Sequence, residues 1–384
     1  MEDVGVISGL GGVSLFKFYY AKYLDDYDKL EEASEILTYA IEKINQGYRL
    51  STFCAGISGL GWVIDHLEQE EFLDIGADSV LANLDDYIHN SLKNFMKSKN
   101  YDFLHGGLGH GFYFLNRYIN TNSAMLRSKY YEILLEFLAL LEEMVEKDDE
   151  NSYKWKSVLD IKTGMEGYNF SLSHGISAII SFLTKMNSFE EFEPKTRILH
   201  QKAINYLLGY YSEEHLKTRN AFFPSYVYSN NEPDITPNRI AWCYGDLGVA
   251  LSLLNAGKHT NDKNILDLAE KTFRFAASIR SPEKSCVVDA GFCHGSFGNT
   301  HIFQKVYQET NDNLFKETAE FWLNEGLERG THRDGFAGFK QYLGFDRQFT
   351  GSLSILEGVA GIGLVIIDQL STFESKWDEC LLIS

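Results

Sequence analysis

Proline is scarce in this chain: five in 384 residues, three of them within one stretch, 221–239. No Pro-rich linker and no low-complexity tract divides the sequence, so it reads as a single domain, 1–384. Basic charge is also short. Lys and Arg number 35 against 54 Asp and Glu, for a net charge of −19. Without a basic patch to displace counterions, nucleic acid is excluded as a partner. No apolar run reaches the roughly 20 residues of a membrane span. The opening MEDVGVISGLGG has no basic n-region of a secretory signal, and a cytoplasmic location is expected. Cysteines are few and odd in number: Cys54, Cys243, Cys286, Cys293 and Cys380. Their spacing excludes a disulfide framework and leaves thiols or metal ligands.

Glycine is abundant and patterned. Seven clusters each open an apolar helical stretch: ISGLGG (7–12), ISGLGW (57–62), LHGGLG (104–109), SHGISA (173–178), CYGDLG (243–248), CHGSFG (293–298) and LEGVAG (356–361). Aligned on Gly9, Gly59, Gly106, Gly175, Gly245, Gly295 and Gly358, they are 47 to 70 residues apart. That period holds two helices and their connections. The segments after the glycines, such as GVALSLLNAG and GVAGIGLVIIDQL, are apolar nearly all round and read as inner helices. Between them lie half-polar helices such as 27–45, 81–98, 130–147, 196–211, 264–279 and 315–328, suited to an outer layer. The last repeat is the most apolar, whereas an open stack needs polar capping repeats. The expected fold is therefore all-α, a closed α/α toroid of seven inner helices with an outer helical layer. Only six outer helices are visible. Either one position is uncovered or a leading helix lies outside this sequence. AFFPSYVYSNNEPDITPNR (221–239) is expected to form a strand-like arm or loop.

Two places before the aligned glycine stand Ile7, Ile57, Leu104, Ser173, Cys243, Cys293 and Leu356. Cys243 and Cys293 thus occupy one structural position in adjacent repeats, and His294 follows the second. Two soft thiolates and an imidazole make three ligands for a zinc ion with one position open. Two thiolates neutralise Zn2+, which suits activation of a substrate thiol more than hydrolysis. Cys54, Cys286 and Cys380 match no such position and read as packing residues. One place before the glycine stand Ser8, Ser58, His105, His174, Tyr244, His294 and Glu357. His174 would share the metal's cavity and is the natural acid–base group near neutral pH. Asp102 reads either as a helix cap or as a site carboxylate. Arg239 reads as a loop ion pair or a charge near the metal, and Tyr244 as a packing or a site aromatic. His66, His105, His110 and Glu357 are taken as structural.

The motifs IAWCYGDLG, FCHGSFGN, SLSHGISAIISFL, YDFLHGGLG and SILEGVAGIGL resemble the lanthionine synthetase C-like (LanC) cyclases, from the first glycine cluster to the last. The resemblance implies one zinc per chain held by Cys243, Cys293 and His294. It implies a cytoplasmic enzyme that adds precursor-peptide cysteine thiols to dehydroalanine or dehydrobutyrine, forming lanthionine rings in lantibiotic biosynthesis. His174 would be the proton donor, Asp102 would assist it, and Arg239 and Tyr244 would lie near the zinc. Implied partners are the dehydrated precursor, leader plus core, and a dehydratase and ABC transporter in a membrane-associated complex. Such a complex would hold the protein peripherally at the inner membrane. The chain has no kinase-like or dehydratase segment, so it resembles stand-alone class I cyclases. The alternatives are a LanC-like protein that binds or conjugates glutathione, and a zinc-dependent thiol alkylation enzyme like a protein prenyltransferase. A scaffold with structural zinc would need a fourth protein ligand, and none stands at an equivalent position.

Overall fold

Each inner helix starts on a glycine because the chain entering it leaves no room for a side chain. A Cβ on Gly175 would lie 2.2 Å from the Asn169 carbonyl oxygen, and one on Gly358 2.5 Å from that of Ser352. The backbone at six of the seven starts is extended, so close approach and not left-handed geometry selects glycine there. Gly245 is the exception, with φ +105°.

The computed structural model describes residues 2–344 and 346–384. In chain order it runs α1 (Leu10–Leu24), α2 (Tyr27–Asn45), α3 (Ile57–Gln69), α4 (Ala77–Lys97), α5 (Gly107–Asn120) and α6 (Ala124–Glu143). Then come the strands β1 (Val145–Lys147), β2 (Tyr153–Trp155), β3 (Ser157–Asp160) and β4 (Met165–Asn169). There follow α7 (Ile176–Asn187), α8 (Glu193–Gly209), α9 (Leu216–Arg219), β5 (Tyr226–Tyr228), α10 (Asp246–Thr260), α11 (Lys263–Ala277), α12 (Pro282–Ser285), α13 (Ser296–Thr310) and α14 (Asn313–Glu328). The hairpin β6 (Gln341–Leu343) and β7 (Gln348–Thr350), α15 (Val359–Leu370) and a 3-10 turn Trp377–Leu381 complete the chain.

Seven inner helices, α1, α3, α5, α7, α10, α13 and α15, form a ring, and α15 packs back on α1. The outer helices α2, α4, α6, α8, α11 and α14 cover them, an α/α toroid as expected. The layers start differently. Asp26, Ser123, Asp262 and Asp312 cap outer helices through side-chain oxygens, whereas no inner helix has a side-chain cap. Burial follows the layers: every residue from Ile57 to Leu67 is buried in α3. The described residues hold six outer helices. The outside of α15 carries none, and Val359, Gly363 and Ile366 stay half-buried there.

The arm at 221–239 contains β5, the edge of a three-stranded antiparallel sheet β3-β4-β5. Strands β1 to β4 and the β6–β7 hairpin are additions to the sequence reading. They are three to five residues long, too short for alternation to mark them.

A run of hydrogen bonds, mostly backbone, ties neighbouring helix starts together. The N–H of Leu356 donates to Ile7 O (3.3 Å), Ile7 to Cys54 (3.0 Å), and Cys54 to Leu104 (2.9 Å). Cys243 donates to Cys293 (3.3 Å) and Cys293 to Leu356 (2.7 Å). Ser173 Oγ reaches Cys243 O at 3.5 Å. This run corrects the alignment. Helix α3 starts on Gly56, not Gly59. The residue two places before the start is therefore Cys54, not Ile57, and Ala55, not Ser58, is the next. Cys54 does share the position of Cys243 and Cys293. Cys286 also departs from expectation: it is exposed, at the left-handed C-cap of α12.

The opposite end is closed by residues 371–384. Lys376 N–H donates to Tyr19 of α1, and Glu379 pairs with Lys185 of α7 at 3.6 Å. Asp378 accepts from His301 (2.8 Å) and Lys305 (2.9 Å) of α13. Trp377 donates to Asp368 of α15 (2.8 Å). The tail also reaches the floor of the glycine end, where Trp242 Nε1 donates to Leu381 O (2.9 Å) and Trp377 packs on Phe292.

Candidate metal centre

Because the ring juxtaposes fifth and sixth helix starts, the side chains of Cys243, Cys293 and His294 converge. Their ligand atoms lie within 4.8 Å of one another, and no carboxylate joins them among the described residues. Two thiols and one imidazole at that separation fit the soft donor set of zinc, with one tetrahedral position left over. Cys243 and Cys293 are buried; His294 is half-buried. A hydrogen bond from Cys293 holds the Cys243 thiol well below its ordinary range against the cost of burial, and His294 and Arg239 add to this. The bond to Cys243 and burial push Cys293 well above it.

Beside the cluster, His174 Nδ1 is 2.6 Å from Asp102 Oδ2. Burial disfavours charge on His174. The Asp102 carboxylate, by its charge and its hydrogen bond, and the Cys243 thiolate outweigh burial and raise its pKa above the usual histidine value. Burial likewise opposes charge on Asp102, and His174 and His105 hold it below the ordinary carboxylate range. Asp102 does not cap α5, which starts on Gly106 with no side-chain cap; its Oδ1 accepts the His105 N–H (2.8 Å) in the turn before the helix, while Oδ2 lies on His174. Tyr244 lies against His174, ring centroids 5.9 Å apart, and Asn169 Nδ2 donates to its hydroxyl (3.0 Å). Arg239 is exposed, and its charge reaches both thiols.

Of the residues taken as structural, His66 bonds Tyr19 (2.9 Å) and His110 bonds the Gly106 carbonyl (2.8 Å), both buried. His105 and Glu357 instead stand on the rim. His105 stacks over His174, and the charge of His294 reaches Glu357. Their column position carried that signal. Cys54 lies across the ring; burial pushes its thiol up to about 12. Sequence reasoning missed Asp289, whose Oδ2 lies 3.9 Å from His294 Nε2.

A family model described as lanthionine synthetase C-like protein matches residues 1–382. Nisin cyclase superposes with a TM-score of 0.75 at 19% identity, over 99% of this chain and 92% of that one. A cellobiose 2-epimerase from Bacillus thermoamylovorans gives 0.47 at 14% identity, over 96% and 89%. A sugar epimerase from a ruminal bacterium gives 0.48 at 11%, over 96% and 88%. The likeness to nisin cyclase, at 19% identity, shows a shared fold. The family match over nearly the whole chain shows more, and the chain belongs to the lanthionine synthetase C-like family.

Proposed function

We propose that this protein is a zinc-dependent lanthipeptide cyclase. The sulfur of a peptide cysteine bonds to the β-carbon of a dehydroalanine or dehydrobutyrine in the same peptide. The thiol proton is lost, the α-carbon gains one, and the mass is unchanged. The observation that carries this reading is the Cys243–Cys293–His294 cluster with the Asp102–His174 pair on the same rim.

Zinc held by those three residues would keep a peptide thiol deprotonated yet nucleophilic near neutral pH. His174, whose pKa the Asp102 carboxylate raises, delivers the proton that quenches the enolate. Asp102 on Nδ1 leaves Nε2 as the donating nitrogen. Tyr244, fixed by Asn169, holds the His174 ring in place, and Arg239 offers positive charge where negative charge develops. The dehydro residues require a prior dehydration, so the substrate is a precursor already processed by a dehydratase.

The test is incubation of a dehydrated, Cys-containing precursor with zinc-loaded and with chelator-treated protein. Loss of alkylatable thiol at constant mass, only with zinc, is expected. A thiol that stays fully alkylatable with the loaded protein would sink the proposal. Added glutathione appearing on the peptide instead would favour the conjugating alternative.

A further inference from the structure

Six places before four of the seven helix starts stands a residue that caps its own loop; Asp3, Leu50 and Arg239 hold this place in the other three. Asn100 Oδ1 accepts the Asp102 N–H (3.2 Å), Asn169 Oδ1 that of Ser171 (2.9 Å), and Ser352 Oγ that of Ser354 (3.4 Å). Asp289 does the same for Gly291, through Oδ1 at 3.0 Å. Only here is the capping residue a carboxylate, and one oxygen is left over. That oxygen, Oδ2, accepts the Tyr342 N–H from β6 (2.8 Å) and lies 3.9 Å from His294 Nε2. Asp289 is 3% exposed. A buried carboxylate is costly unless it is paired, and the turn alone needs no charge, as two asparagines and a serine show. Asp102 offers the parallel: one oxygen serves its turn and the other holds a histidine of the same rim.

We infer that Asp289 is a positioning residue for the metal centre. The charge of its Oδ2, 3.9 Å from Nε2 of His294, favours a proton on Nε2 and so the tautomer in which Nδ1 carries the lone pair, and β6 holds the carboxylate in place. Carboxylates behind ligating histidines commonly raise metal affinity by about 10- to 100-fold. The inference rests on the zinc reading above.

Asp289→Asn and Asp289→Ser are the substitutions to make, because the fold already uses both side chains at this position. Zinc affinity is measured on full-length protein by competition with a chromogenic chelator. The Co2+-loaded absorption spectrum and the Tm of the metal-free protein are recorded alongside. Zinc affinity is expected to fall about 10- to 100-fold in both variants. The Co2+ bands should shift, and the metal-free Tm should move far less than the metal-loaded Tm. Wild-type affinity in either variant would overturn the inference and leave the cyclase reading standing. Equal Tm losses with and without metal would show a purely structural role and overturn it as well. A wild-type protein that binds no zinc would remove both.

Discussion

At the scale of single residues, chemistry here comes from side chains with a surplus atom. A serine at position 171 or 354 caps the turn before the helix with its single oxygen; Asp102 caps its turn with one oxygen and has a second for His174. That gives a pH prediction. A group whose pKa is raised works as an acid until the pH climbs through the raised value. In Asp102→Asn the cap acceptor is kept and the charge is lost, so burial then dominates and lowers the His174 pKa. The alkaline limb of kcat/KM is expected about 1 to 3 pH units lower, with zinc content unchanged. A limb that stays put would remove His174 as the acid. Cys243 and Cys293 stood out because they interrupt a mostly apolar column; His174 and His294 stood beside them in a column that also holds His105, so position marked histidines without separating them. The double use of Asp102 was not, since spacing does not say where a second oxygen points. Asp289 escaped because its column was not compared.

At the scale of elements, the glycines are steric. Three places after the start, a Cβ on Gly298 would lie 1.8 Å from the Phe292 carbonyl oxygen. Phe292 precedes Cys293, so the clash pushes directly on a proposed ligand. The fourth repeat carries buried Ala178 at this place, so a loop can adjust to one methyl group. Gly298→Ala is therefore expected to fold, to lose about 1–3 kcal/mol in denaturant melts, and to bind zinc more weakly. Unchanged stability and zinc affinity would show that the loop moves freely. The inner and outer helices were readable from period and polarity. The start of α3 was misplaced because Gly56 and Gly59 both sit in helix-opening sequence, and only the backbone hydrogen bonds distinguish a cap from a first-turn glycine. The short strands carry too few residues for a period to show.

At the scale of the whole molecule, the tail closes one end of the ring and supports the floor of the other. Trp377 and Leu381 touch the residues just before Cys293 and Cys243. Asp378 anchors this tail. Burial opposes its charge, but the hydrogen bond and charge of His301 and the Lys305 ammonium hold its carboxyl far below the ordinary range. A depressed folded pKa stabilises the fold above the ordinary value near 4 and ceases to do so as the pH falls through the folded value. Asp378→Ala is expected to cost about 3 kcal/mol at pH 7. Its stability should approach that of the wild type as both are acidified below about pH 4. A constant difference between pH 7 and 3 would mean the carboxylate charge contributes nothing.

The sequence by itself determined a ring of alternating inner and outer helices, because period, polarity and steric glycines are local properties. It also supplied the types of donor. The tertiary structure alone decided which donors meet. Cys54, Cys243 and Cys293 hold one position in three repeats, yet a metal needs neighbours within a few ångströms. Among the described residues, only the fifth and sixth helix starts bring two thiols and a histidine together. Cys54 is hydrogen-bonded through its backbone to Ile7 and Leu104, and among the described residues it joins no group of metal ligands.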